Sequence, residues 1–175
     1  FDKEFVYPAF MVDAKKCFKG ALDHFKSTGA VSVTKGRIKA KPDGLETIRL
    51  FARLIQDCNE AYFIVLNTVQ SIGRDKMSRK ALVAEIRKNG VQLYHLGTVR
   101  LTESLSVSSY NNALNLLVSL GCIREKSADS KTKELSVTDH KKLESVRATI
   151  TGYLEELHRR QEPQTAPVEA AGKDE

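Results

Sequence analysis

The sequence has no tryptophan, two methionines, three cysteines and no apolar run longer than Ala61–Leu66, "AYFIVL". A helix that crosses a bilayer needs about 20 consecutive apolar residues, so no transmembrane segment is expected. Cys17, Cys58 and Cys122 are odd in number, far apart and outside any CxxC pair. That excludes a disulfide framework or a cysteine zinc site, and fits reduced thiols acting as small buried hydrophobes. His24, His95, His140 and His158 have no His or Cys at ligand spacing and no partner one helical turn away, so neither metal nor cofactor is expected. GxSxG, P-loop and GxGxxG patterns are absent, and no group of residues supplies a nucleophile, a base and an oxyanion site together. No leader peptide is visible, and the chain opens on "FDKEF" rather than Met, as a segment of a longer protein would.

What is present is ordinary for a globular protein: 175 residues, 41% hydrophobic and 29% charged. The formal charge is +6 and the pI about 9.2. This balance favours anionic partners, whether nucleic acid, phosphate groups or an acidic membrane surface, and does not choose among them.

An internal repeat organises the chain. "FKGALDHFKSTGAVSV" (Phe18–Val33) lies over "YNNALNLLVSLGCIRE" (Tyr110–Glu125), pairing Phe25 with Leu117 and Gly29 with Gly121. "LETIR" (Leu45–Arg49) then returns as "LESVR" (Leu143–Arg147), with the second copy longer inside the polar stretch Glu125–Glu134. Insertions of that kind belong in loops. In the first copy Ala14, Cys17, Phe18, Ala21, Leu22 and Phe25 form one apolar helix stripe, and Gly29 is placed to stop it. "AVSVTKGRIKAK" alternates about Lys35-Gly36 as a hairpin does. Pro42, Asp43 and Glu46 fit a capping box that opens the next helix.

The second copy adds a front half: "SRKALVAEIRKNG", a helix from Ser78 stopped at Gly90, then a connector. Between the copies a single amphipathic spine helix is expected, with Leu45, Ile48, Ile55, Tyr62, Val65 and Ile72 on its apolar side. The expected fold is mainly α with short β-hairpins: two winged-helix-like units, the first truncated, joined by that long helix. The units are residues 1–72 and 73–160. Residues 161–175, rich in Pro, Ala and Glu and without periodicity, are expected to be a disordered tail.

Two basic groups remain. Lys35, Arg37, Lys39 and Lys41 alternate with small or apolar residues, which puts cations on one face of the first hairpin and makes them candidate contacts to an anionic surface. Arg74, Lys76, Arg79, Lys80, Arg87 and Lys88 form the other group. Both groups are also explained as lysine-protected edges and solvated helix faces. The helix at the DNA-reading position of a winged helix, Ser106–Gly121, carries no Lys or Arg. Ser108, Asn111, Asn112 and Asn115 are its base-reading candidates. Nucleic acid is therefore the weaker partner.

Three segments carry a family resemblance: "IQDCNEAYFIVLNTV" (Ile55–Val69), "KALVAEIRKNGVQLYHLGTVRLTESLS" (Lys80–Ser106) and "NNALNLLVSLGCI" (Asn111–Ile123). Together they resemble the C-terminal region of the membrane-associated glycerol-3-phosphate acyltransferases, across most of residues 1–160. The resemblance implies a parent reaction in which an acyl chain passes from acyl-CoA or acyl-carrier protein to the sn-1 hydroxyl of glycerol-3-phosphate at the cytosolic face of a membrane. In that family a His followed five residues later by Asp supplies the base. Here the corresponding residues are Gly29, Arg100, Ser145 and Pro163, and the family's glycine-rich acidic motif is also missing. The resemblance thus implies a non-catalytic accessory region whose partners are an upstream catalytic domain and an anionic membrane surface. A cytosolic winged-helix regulatory or nucleic-acid-binding module is the alternative.

Overall fold

The computed structural model describes residues 13–73, 75–127 and 133–159. Arg74, the tail expected at 161–175 and the centre of the inserted loop lie outside them. The described part is about 70% helix, with six α-helices and two small antiparallel sheets.

Helix α1 (Ala14–Ser27) starts at Asp13, whose carboxylate accepts the Lys16 N–H at 2.9 Å. It ends ahead of Gly29, where φ is +76°, the left-handed conformation that glycine adopts without a Cβ clash. Strands β1 (Val31–Thr34) and β2 (Arg37–Ala40) pair antiparallel with Thr34 opposite Arg37. Lys35 and Gly36 both have positive φ, which is the two-residue turn whose twist suits a hairpin.

Beyond Lys41 the chain differs from the expected capping box. Pro42–Gly44 form a 3-10 turn, and Gly44, which has no side chain to offer, caps α2 (Leu45–Arg53). A Cβ on Gly44 would lie 2.1 Å from the Ala30 Cα, so the glycine is required by close backbone approach. Glu46, freed from capping, pairs with Arg49.

The expected single spine is two helices. The Leu54 and Ile55 N–H groups bond three residues back, to Phe51 and Ala52, and α3 (Gln56–Ile72) begins after them. The apolar stripe had merged two different environments: α2 has no buried residue, whereas α3 is enclosed on most of its surface.

Around α3 the remaining elements close a core. They are β3 (Met77–Ser78), α4 (Arg79–His95), a 3-10 turn Thr102–Leu105, α5 (Val107–Ser119), β4 (Ile123–Ser127), β5 (Lys133–Val137) and α6 (His140–Arg159). The strand order is β3-β5-β4, with Glu125 opposite Leu135 and Met77 opposite the same Leu135. Ile64, Val65, Leu82, Ile86, Leu114, Leu117 and Leu143 fill the interior, each 3% exposed or less. Ser78 caps α4 as expected, but Gly90 does not end it. The helix runs on to His95, and Gly90 is the slot that admits Tyr110: a Cβ there would meet the Tyr110 hydroxyl at 2.7 Å.

The repeat has matched local structure. Gly121 follows α5 with φ +73° as Gly29 follows α1. Ala30 and Cys122, both buried, accept the N–H that returns from each hairpin: Lys41 to Ala30 at 2.9 Å, Thr138 to Cys122 at 2.9 Å. The Glu46–Arg49 pair recurs as Glu144–Arg147. The copies differ in packing, since Leu117 is buried while Phe25 is half-buried against the edge of Phe51, ring centroids 5.4 Å apart. Cys17 and Cys58 are likewise only half-buried, and Cys122 alone of the three fills the buried role expected of them all.

Candidate functional site

Arg37 and Lys39 occupy alternate positions of β2 and so share a face, opposite Thr34 and Ser32, while Val33 and Ile38 lie on the other. Lys35 is in the turn itself rather than on that face, and Lys41 follows the strand end. All four cations are exposed. Residues 13–55 hold ten Lys and Arg against four Asp and Glu, a surplus equal to the +6 of the whole chain. The same stretch exposes large apolar side chains, led by Leu54 at 70%, Leu50 at 61% and Phe18 at 60%. The helix stripe read for α1 is therefore real as periodicity but only partly covered, with no residue of α1 fully buried. A surface with cations beside exposed leucine and phenylalanine suits an interface in which charge and apolar area both count.

The second basic group does not stay together. Arg79 is drawn inward: its guanidinium donates to Asn111 Oδ1 (3.1 Å), the Asn111 carbonyl (3.2 Å), Asn115 Oδ1 (2.6 Å) and Glu125 Oε1 (3.2 Å). It ties α4 to α5 and β4, and it occupies Asn111 and Asn115, two of the three asparagines that were candidate base readers. Lys76, Lys80, Arg87 and Lys88 remain exposed.

His24, His95 and His140 are exposed. His158 places Nε2 at 3.5 Å from Glu60 Oε1. Glu60 is the residue that sequence reading missed. It has no exposure, and it accepts hydrogen bonds from the Arg100 N–H (3.1 Å), the Leu101 N–H (3.0 Å), the Ser104 hydroxyl (2.8 Å) and Gln56 Nε2 (2.8 Å). A carboxylate so saturated is an anchor that pins the connector after α4 onto α3. Its only sequence signal was a lone acid inside the apolar face "NEAYFIVL". Among the described residues no group of three or more His, Cys, Asp and Glu could hold a metal ion, and no helix is long and apolar enough to cross a membrane.

The described residues are mainly helical, with two small antiparallel sheets. The model of the glycerol-3-phosphate acyltransferase C-terminal region matches residues 1–126, and the chain belongs to that family. The match ends within β4, so it is narrower than the span expected from the resemblance. It leaves β5 and α6, which complete the core, outside. No curated protein matches the chain.

Proposed function

We propose that this chain is the non-catalytic accessory region of a glycerolipid acyltransferase. In the parent reaction an upstream domain transfers an acyl group from acyl-CoA or acyl-carrier protein to the sn-1 position of glycerol-3-phosphate. The single observation that carries this is the family match over residues 1–126 in a sequence with no His-x4-Asp motif. The region packs on the catalytic domain or on the cytosolic face of an anionic membrane. Its first unit supplies the contact through Arg37, Lys39, Lys41 and Lys35. The concentration of positive charge and exposed apolar side chains in residues 13–55 supports that assignment.

The division into units 1–72 and 73–160 goes with this reading, α3 being shared. The order helix, short strand, helix, helix, hairpin from α3 to β5 supports a winged-helix-like second unit. A nucleic-acid role gains little from that shape. The side-chain carbonyls of Asn111 and Asn115 already serve Arg79.

The test is an acylation assay of the purified chain with glycerol-3-phosphate and either donor. No turnover is expected. Turnover that disappears on changing one of the four histidines would overturn the accessory assignment.

A further inference from the structure

Helix α4 and the start of α5 border a shallow, open groove of about 570 Å³ that the proposed function does not use. At 100° per residue Lys80, Arg87 and Val91 fall along one line of α4, with Val83 on one flank and Lys88 on the other. Val107, at the first turn of α5, forms the opposite wall. Val91 and Val107 are 38% and 44% exposed. Arg79, the neighbouring cation, is consumed by α5 and β4, whereas Lys80, Arg87 and Lys88 project from the exposed side of α4.

We propose that this groove receives an acidic amphipathic helix from a partner protein. Cations and valines are interleaved along the same strip, so the fitting surface must alternate acids with apolar side chains in the same way. From Lys80 to Val91 the strip runs about 17 Å, close to three turns of a helix laid alongside. A bilayer offers no acids placed in register with this strip of cations and valines, whereas a helix does. A nucleic-acid backbone satisfies the cations but buries the valines against phosphates for no return. An acidic helix satisfies both.

The probe is a designed helical peptide with Leu along one face and Glu flanking it, compared with a twin in which each Glu is Lys. The Glu peptide should bind the 175-residue chain saturably and shift the methyl resonances of Val83, Val91 and Val107. Lys80→Glu/Arg87→Glu/Lys88→Glu should weaken it by about tenfold or more and should admit the Lys twin instead. Val91→Asp, at an exposed position and with the cations intact, should weaken the Glu peptide. Equal binding of the two peptides to the native chain would overturn the proposal, as would shifts confined to residues outside the groove. Markedly tighter Glu-peptide binding after removal of residues 161–175 would overturn it too, because the chain's own acidic tail would then be the occupant.

Discussion

Glu60 takes four donors on its two oxygens and is wholly buried, and its loss strands two backbone N–H groups of the connector. Glu60→Ala should therefore cost about 3 kcal/mol or more in urea unfolding, well beyond an ordinary surface acid. Gly90 makes a prediction of sign. In an open helix Gly→Ala stabilises by about 1 kcal/mol. Here the added methyl meets Tyr110, Leu105 and Ile64, so Gly90→Ala should destabilise by about 1–3 kcal/mol. The Tyr110 hydroxyl is fully buried with no hydrogen-bond partner among the described residues, and burial pushes its pKa up to about 12. Being raised, it contributes stability that is whole below pH 10 and is lost as pH climbs from 10 towards 12. Tyr110→Phe should cost little at neutral pH and should flatten that alkaline loss, as read by unfolding at several pH values. These roles were only partly legible. Gly90 has the composition of a helix stop, and Glu60 that of a solvated acid, until Tyr110 and the 100–104 connector are brought against them from a distance.

At the scale of elements, the duplicated helix-glycine-hairpin-helix unit was legible because its determinants are local. Gly29 and Gly121 follow their helices, Lys35-Gly36 fits its turn, and the Glu-Arg spacing of LETIR and LESVR places one pair per helix. The break at Leu54–Ile55 was not legible. No Pro or Gly marks it, and apolar residues continue through it. Burial was hidden for a similar reason: periodicity gives a helix its apolar side but not a partner to cover it. Leu117→Ala should cost about 2–5 kcal/mol as a core truncation. Phe25→Ala should cost nearer 1–2 kcal/mol, because that ring is only half-buried, edge-on to Phe51. Equal losses in paired unfolding experiments would contradict the difference in packing between the copies.

In the whole molecule, the buried core and the net charge lie in different places. The core spans α3 to α6, while the +6 surplus and most of the exposed large apolar side chains lie in residues 13–55. That separation suits the proposed accessory role: a packed core, and apart from it a basic face with exposed apolar side chains. The most direct measurement is flotation of the chain with vesicles of anionic and of neutral lipid, for the native protein and for Arg37→Gln/Lys39→Gln/Lys41→Gln. Cations near an anionic bilayer contribute about 1 kcal/mol each, so the triple change should weaken binding to anionic vesicles by up to about 3 kcal/mol at low salt. It should leave neutral vesicles unaffected, and Lys80→Glu/Arg87→Glu/Lys88→Glu should float as the native protein does. Native binding to anionic vesicles that survives loss of the hairpin cations, or no binding at all, would contradict the placement of the anionic surface on the first unit.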